Sequence, residues 1–265
     1  MSSATLTVPI PSLVPVRIEP RLEAEFMAPI APLKTRCSSC HLRELCLPCG
    51  MTGVDIQRLD SLMFSRRKVL AGQTLYREGN RFQFIYAVRS GTFKSSLTLA
   101  DGREQVSGFY MSGELMGLDG VAQGTHASKA TALEDTEVCA IPYSLLTEMT
   151  AAGSGMQHVV SRLMSREIVR EHSLMMLLGS MNAEERLAAF LLNLSQRLMT
   201  RGYSASEFHL RMSRAEIGSY LGMKLETVSR TFSAFQQQRL LEVDKRHIRI
   251  TDLEGLRRAF EMRVH

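Results

Sequence analysis

The chain has 265 residues, of which 45% are apolar and 22% are charged, and its net charge is +5 at pH 7. This composition excludes a disordered chain, a disulfide-stapled mini-protein and a fibrous repeat, and the length predicts about two domains. No apolar stretch reaches the roughly 18 residues of a membrane span, and residues 1–12 lack the basic start and apolar core of a signal peptide, so we expect a cytoplasmic protein.

The positive charge is concentrated in the last quarter of the chain. Residues 195–265 hold 13 Lys and Arg against 8 Asp and Glu, while the rest of the chain holds 19 of each kind. A basic C-terminal domain on a neutral body indicates a polyanion partner, although basic surfaces without a function are also common.

The N-terminal segment is unusually rich in proline. Six of the eight prolines lie within the first 32 residues, and no hydrophobic period persists between them. This pattern is typical of a flexible, extended arm.

A cysteine cluster follows the arm. Four of the five cysteines fit a C-x2-C-x5-C-x2-C pattern, and the fifth lies far along the chain; in order they are Cys37, Cys40, Cys46, Cys49 and Cys139. In a cytoplasmic protein such clustering favours a metal over disulfides. Four thiolates suit either tetrahedral zinc or an iron–sulfur cluster, and the spacing alone does not choose. Taken alone, Cys139 is more typical of a buried structural cysteine.

Short apolar runs separated by Gly turns extend from Val69 to Val138. Examples are residues 73–76, 84–88 and 92–97, followed by the turn Asp101-Gly102. Short strands at this spacing predict an antiparallel sandwich or roll.

From about Met156 the hydrophobic period becomes helical. One stripe repeats in steps of four and three residues, as in a two-stranded coiled coil, and consists of Met164, Ile168, Glu171, Met175 and Leu178. The same spacing also fits a core stripe within a single chain. In a symmetric dimer Glu171 would face its own mate, and two carboxylates about 4 Å apart repel by roughly 1–4 kcal/mol. Glu171 could instead face solvent or pair with an Arg of a neighbouring helix.

The C-terminal region has the pattern of a winged helix-turn-helix. Asn182 with Glu185, and Ser213 with Glu216, form capping boxes that predict two helix starts. Gly222 ends the second of these helices, and a further helix is predicted from Leu225 to Gln238. Residues 240–250 then form a predicted hairpin, the wing, with a basic tip.

One face of the last helix carries side chains that can read bases. Glu226, Ser229 and Arg230 lie at i, i+3 and i+4, away from the apolar Val228 and Phe232. Arg can donate two hydrogen bonds to guanine and Glu can accept one from cytosine, each good pair contributing about 1–3 kcal/mol of discrimination. The alternative is a solvated face with an ordinary Glu226–Arg230 ion pair.

Four segments, in this order, resemble the fumarate and nitrate reduction regulator (FNR) family of the cyclic-AMP receptor protein superfamily. The resemblance runs from about Lys34 to the C-terminus, and the segments are residues 37–46, 138–142, 182–190 and 226–230. It implies a [4Fe–4S] cluster held by Cys37, Cys40, Cys46 and Cys139. The chain departs from the commonest pattern at Cys49, which is a possible alternative ligand.

The resemblance also implies a mechanism. The cluster would be labile to oxygen and would promote dimerisation and DNA binding under anaerobic conditions. Glu226, Ser229 and Arg230, with Thr227 in the same turn, would contact a TTGAT-like half-site of a palindromic operator. RNA polymerase would be contacted through β-roll loops, for which the turn from Asp101 to Phe109 is a candidate.

A cyclic nucleotide is not expected as a ligand. Gly113-Glu114 resembles the ribose-binding start of the phosphate cassette in cyclic-AMP receptors, but the Arg-Ser pair of that cassette is absent. Residues 125–128, Thr-His-Ala-Ser, stand there instead. Without a guanidinium, a buried cyclic phosphate would have no charge partner.

We therefore predict an α+β protein and no enzyme, because the sequence has no P-loop and no nucleophile constellation. The predicted parts are a Pro-rich arm (1–33), a cluster-binding segment (34–55), a cyclic-nucleotide-binding-like antiparallel β-roll (56–152), a long dimerisation helix (153–180) and a winged helix-turn-helix domain (181–265). It would activate or repress anaerobic genes as a homodimer. The alternatives are a zinc-stabilised or cluster-free regulator of the same superfamily and, in another class, an iron–sulfur electron-transfer protein.

Overall fold

The computed structural model describes residues 36–62, 64–99, 101–151 and 155–261. The predicted Pro-rich arm, residues 1–33, lies outside the described residues, as do residues 152–154 at the predicted start of the dimerisation helix. Within the described ranges no helix is both long enough and apolar enough to cross a bilayer.

The first domain is an antiparallel β-roll, as the alternating runs predict. Its strands are β1 (Ser65–Val69), β2 (Thr74–Tyr76), β3 (Phe84–Ser90), β4 (Thr92–Thr98), β5 (Glu104–Met111), β6 (Leu115–Met116), β7 (Lys129–Ala132) and β8 (Thr136–Pro142). They form two four-stranded sheets, in the orders β1-β8-β3-β6 and β2-β7-β4-β5. Every strand pair in them is antiparallel, and the facing sides of the two sheets are apolar.

Helices flank the roll and build the C-terminal domain. They are α1 (Gly53–Ser61), α2 (Tyr143–Ala151), α3 (Met156–Ser180), α4 (Ala183–Met199), α5 (Arg214–Leu221), α6 (Leu225–Gln237) and α7 (Leu253–Glu261). A three-stranded sheet completes the C-terminal domain, with strands β9 (Glu207–His209), β10 (Leu241–Asp244) and β11 (His247–Ile250) in the order β10-β11-β9. The sequence patterns predicted α3 to α6 and the β10–β11 hairpin but not α1, α2, α7 or β9.

The predicted capping residues begin the helices where expected. The Asn182 side chain accepts from the backbone amides of Glu184 and Glu185, and the Glu185 carboxylate in turn accepts from the backbone amide of Asn182. Ser213 and Glu216 form the same reciprocal pair at the start of α5. Gly222 adopts a left-handed conformation, φ 63°, which ends α5 and turns the chain into α6.

One apolar core joins the β-roll to the DNA-binding domain. Val106, Phe109 and Met111 of β5 lie in the same buried cluster as Leu187 of α4 and Phe232 of α6. The aromatic ring of Phe109 is 6.1 Å from that of Phe190 and 5.2 Å from that of Tyr220, measured between centroids. The two domains are therefore packed together by ordinary core contacts.

We expect Asn182→Ala to lower the free energy of unfolding by about 1 kcal/mol, because two amides at the start of α4 lose their acceptor. Denaturant unfolding followed by circular dichroism measures the change. Asn193→Ala is the matched control: it makes the same replacement at an exposed interior position of α4. An equal loss in both variants would contradict the capping explanation.

Candidate functional site: a nucleic-acid interface and a thiol pocket

α6 separates its buried and exposed residues cleanly onto two faces. Val228, Phe232 and Phe235 are at most 3% exposed and lie in the core of the domain. The side chains predicted to read bases, those of Glu226, Ser229 and Arg230, are exposed, and Thr227 is half-buried beside them. The apolar stripe thus fixes which polar residues face outward.

The charged groups on the exposed face are not paired with each other. The Arg230 Nε donates weakly to the backbone carbonyl of Glu226, at 3.4 Å. In the described part of the chain no ion pair joins the two side chains within 4.0 Å. The alternative of an ordinary surface ion pair is therefore not what the structure shows.

Arg214, which the sequence analysis did not single out, lies at the start of α5 beside the wing. Its guanidinium carbon is 3.4 Å from the centroid of the Phe232 ring, and its Nη2 donates to the Lys245 carbonyl at 3.3 Å. Burial lowers the pKa of Arg214 to about 10, so it stays charged at neutral pH. With Lys245 and Arg246 at the tip of the wing, it forms a basic rim beside α6, which suits contact with phosphate.

We use the name thiol pocket for the region of Cys37, Cys40, Cys46 and Cys139, where the N-terminal turns meet the middle of β8. Cys139 on β8 lies opposite Arg66 of β1 and Ala87 of β3. The segment from Cys37 to Cys49 is a series of turns, and the Asp60 carboxylate of α1 accepts the backbone amide of Cys37. Cys37, Cys46 and Cys139 all pack against the same apolar cluster.

Four of the five thiols lie close enough to influence one another. The pKa of Cys37 is raised to about 12, mainly by burial, with smaller contributions from the nearby Cys139, Asp60 and Cys40. Burial also raises the pKa of Cys46 to about 12, again with contributions from Cys37, Cys139 and Cys40. These thiols are therefore protonated at neutral pH unless a cation displaces their protons.

Cys49 differs from this group in its contacts. It is not among the main influences on the pKa of Cys37 or Cys46, its amide donates to the Cys46 carbonyl at 3.0 Å, and its own carbonyl accepts a hydrogen bond from Arg162 of α3. Cys49 therefore stays a possible alternative ligand.

The pocket fits a soft metal group in chemistry but is not pre-arranged as a metal site. The described residues hold no group of three or more His, Cys, Asp or Glu side chains set out for a metal ion. Sulfur ligands nevertheless suit iron or zinc, and the buried Leu42 and Leu47 shield this end of the molecule from water. Arg89 places its Nη1 3.8 Å from the Cys40 sulfur, where a cation stabilises thiolates.

The pocket is joined to the first turn of α3. Met156 and Val159 of α3 are fully buried in the same cluster as Leu47 and Leu59. A change in the turns that carry the cysteines therefore reaches α3 through direct packing.

Further along, α3 presents an apolar face that is not covered within one chain. Ile168 and Met175 are 55% and 61% exposed, whereas Met164 and Leu178 are half-buried. Glu171 is exposed between them. The structure therefore does not support a core stripe within a single chain at Ile168 and Met175.

The stretch that resembles a phosphate cassette is occupied by a carboxylate of the chain itself. Asp119 accepts from the backbone amides of Ala127 and Ser128 at 3.0 and 2.9 Å and from the Ser128 hydroxyl at 2.8 Å. The buried His126 lies 3.2 Å from the same carboxylate and stacks on Tyr76. Burial raises the pKa of Asp119, but the bonds from His126 and Ser128 outweigh it and the net pKa is lowered.

Comparison with known proteins agrees with this architecture. The Crp-like helix-turn-helix domain matches residues 185–259, and the cyclic nucleotide-binding domain matches residues 66–153. The solved structure of FixK2 from Bradyrhizobium japonicum is similar, with a TM-score of 0.70 and 30% identity over 75% of this chain and 98% of that one. The fold and the exposed α6 define a DNA-binding transcription regulator of the winged helix-turn-helix class.

Relatives of similar length place it more narrowly. The transcriptional regulatory protein btr of Bordetella pertussis is 45% identical over 86% of this chain and 95% of its own. The fumarate and nitrate reduction regulatory protein of Escherichia coli is 39% identical over 83% of this chain and 88% of its own. The chain belongs to the FNR family of the cyclic-AMP receptor protein superfamily, whose members are regulators and not enzymes, as predicted.

Proposed function

We propose that the chain is an oxygen-responsive transcription regulator that binds a TTGAT-like inverted repeat as a homodimer and activates or represses anaerobic genes. Cys37, Cys40, Cys46 and Cys139 would hold its [4Fe–4S] cluster. The observation that carries the proposal is the position of Cys139, which the β-roll brings from a distant part of the chain to the N-terminal thiols. A metal bound by the N-terminal turns alone would not require it.

When bound, the cluster supplies a group that oxygen oxidises and disassembles. The protein side of the switch is the link between the pocket and α3. Met156 and Val159 lie in the same apolar core as Leu47 of the cysteine turns, so ordering those turns would also order the start of α3. In this proposal α3 has two states, and both the thiol pocket and the dimer interface contact it.

The dimer would form along the exposed apolar face of α3. We call this face the dimer seam; it consists of Met164, Ile168, Glu171, Met175 and Leu178. Glu171 carries a charge into this face, and Arg170 of the same helix lies 3.7 Å from its carboxylate. The neighbouring Glu167 takes the closer position, 2.7 Å from Arg170. Arg170 therefore offsets only part of the repulsion between two Glu171 side chains, which keeps the dimer marginal.

RNA polymerase would be contacted through the turn that follows β4. Val106 and Phe109, within the segment that the sequence analysis named, are buried against the DNA-binding domain. The accessible part of that segment is therefore residues 101–104, which are exposed. We limit the proposed contact to these four residues.

Single Ser replacements test the cluster. Protein purified without oxygen should contain iron and sulfide and absorb visible light, and Cys37→Ser, Cys40→Ser, Cys46→Ser and Cys139→Ser should each lose all three properties. Cys49→Ser is the matched control and should keep them, because Cys49 is not among the main influences on the pKa of Cys37 or Cys46. Iron and sulfide assays with absorption spectra before and after air provide the measurement.

Two results would contradict the proposed cluster. A colourless protein that contains zinc would support the zinc-stabilised regulator. Iron retained in Cys139→Ser but lost in Cys49→Ser would show that the fourth ligand is Cys49.

Glu171→Ala tests the dimer seam. Removing two carboxylates that repel by roughly 1–4 kcal/mol should strengthen self-association at least several-fold in air. Sedimentation velocity, at concentrations where the anaerobic wild type is dimeric, measures the change. Glu148→Ala on α2 removes the same charge from an exposed site outside the seam and should leave the monomer unchanged. A monomeric Glu171→Ala protein would count against the repulsion.

Arg230→Ala tests base reading. We expect a loss of about 1–3 kcal/mol on the operator and little loss on unrelated DNA, because the exposed guanidinium would contact base edges. Fluorescence anisotropy on both duplexes at one salt concentration measures this difference. Arg257→Ala, at an exposed ion pair on α7, is the control for lost charge. Unchanged operator binding in Arg230→Ala would show that Arg230 does not read bases, whereas no preference of the unaltered chain for any operator would favour the electron-transfer alternative.

A further inference from the structure

The carboxylate of Glu114 makes the most concentrated set of charged contacts between the two domains. Glu114 lies in the turn between β5 and β6, and its Oε2 also accepts the Met111 amide at 3.0 Å. Arg197 of α4 donates from Nη2 to Oε2 at 2.6 Å and from Nε to Oε1 at 3.0 Å. Arg201, in the turn that follows α4, donates to Oε1 at 2.6 Å.

The same two arginines also bind the backbone of the β-roll. Arg197 donates to the Phe109 carbonyl and Arg201 to the Ser112 carbonyl, each at 2.7 Å. Burial raises the pKa of Glu114, but the two guanidinium groups outweigh it and keep the pKa below its ordinary value. Five charge-assisted hydrogen bonds thus tie α4 and the turn that follows it to one turn of the roll. We call Glu114, Arg197 and Arg201 the interdomain clamp.

The clamp acts on the helix that carries the DNA-binding domain. Leu187 and Leu191 of α4 are fully buried in the core that also contains Val228 and Phe232 of α6, so α4 and α6 form one packed unit. A second ion pair between the two domains joins Lys94 of β4 to Glu216 of α5 at 2.7 Å. A rigid α4 therefore means a rigid recognition helix relative to the roll.

The chemistry of the clamp differs from what the sequence suggested for this position. Gly113-Glu114 resembles the pair that holds a ribose in cyclic-AMP receptors, yet here both carboxylate oxygens are engaged by guanidinium groups of α4 and of the turn that follows it. A carboxylate that accepts hydrogen bonds from two guanidinium groups is held by both, and loss of both would leave a half-buried charge without a partner.

We propose that Glu114 is a positioning residue for DNA recognition, which holds α4 and α6 at a fixed angle to the β-roll and so sets the spacing of the two half-sites. The inference rests on the proposed dimer. DNA turns once in about 10 base pairs, so one inserted pair rotates a half-site by about 35° and moves it by about 3.4 Å. A dimer whose DNA-binding domains are held rigidly on the β-rolls cannot adjust to this change. A dimer in which the contact between the domains is loosened can adjust.

The test compares spacing selectivity in full-length protein. The unaltered chain first selects its operator from a random duplex library, and the spacer between the half-sites is then lengthened or shortened by one base pair. We expect the unaltered chain to bind the altered spacers at least about thirtyfold more weakly, and Glu114→Gln only about threefold more weakly. The affinity of Glu114→Gln for the original operator should fall by a much smaller factor than its preference for the original spacer.

Glu78→Gln is the matched control. It makes the same replacement at an exposed position of the roll, between β2 and β3 and outside the clamp. This variant should keep the full spacing selectivity, although it loses the same charge. Thermal unfolding of both variants separates a loss of selectivity from a general loss of stability.

Arg197→Gln is a milder second variant, because Arg201 still neutralises Glu114 in it. Arg197→Gln should also reduce the difference in binding between the original and the altered spacers, and it serves as the test if Glu114→Gln does not fold. If the folded variant keeps the full difference in binding, the clamp is overturned and the proposed regulator is not affected. Selection of a single half-site by the unaltered chain would refute the dimeric reader and the clamp together.

Discussion

In the proposed dimer, recognition of a palindromic operator requires the two α6 helices to be held at a fixed distance. Every contact between the dimer face of α3 and α6 must therefore keep its geometry. In this chain the contacts are of two kinds. Apolar packing supplies most of the contact, since Phe109 of the roll lies in one core with Leu187 of α4 and Phe232 of α6. Apolar contacts have no preferred direction, so they hold the domains together without fixing their angle. The directional part comes from charge-assisted hydrogen bonds, above all those to Glu114.

The switch that we propose uses the other end of the molecule. The thiols and the start of α3 share one buried cluster, in which Leu47 and Val159 are almost fully excluded from solvent. Packed interiors transmit a displacement because they contain little free volume. A change in the N-terminal turns can therefore reach the seam without a hinge of its own. Since Leu47 belongs to the turns and Val159 to α3, the two cannot move independently.

The sequence predicted those features whose causes are local or periodic. The capping boxes at Asn182 and Ser213 and the left-handed Gly222 are such cases, because each depends on residues within a few positions. The outward face of α6 followed from the burial of Val228 and Phe232. Pattern alone thus predicted the winged domain and an antiparallel sandwich or roll, and the family resemblance added the choice of the roll and the candidate ligands.

What the sequence could not show were pairings between distant charged residues. Nothing in the neighbourhood of Glu114 identifies Arg197 as its partner, because the contact depends on how the two domains pack. The same holds for Arg170, whose guanidinium lies 4.4 Å from the ring centroid of Tyr110 on β5. Asp119, which occupies the cassette-like turn, was missed for the same reason. Sequence spacing is informative only while the elements that it relates are regular and close in the chain.

The balance at the seam explains why such a molecule can respond to a small input. Arg170 is shared between Glu167 at 2.7 Å, Glu171 at 3.7 Å and the Tyr110 hydroxyl, so it cannot neutralise Glu171 fully. Shifting a two-state equilibrium from one extreme to the other takes about 5.5 kcal/mol of differential stability. In the proposed dimer, a seam of apolar residues alone would favour association more strongly and would be harder for the N-terminal turns to reverse. The carboxylate of Glu171 would bring the proposed equilibrium closer to balance, where the ordering of α3 could decide it.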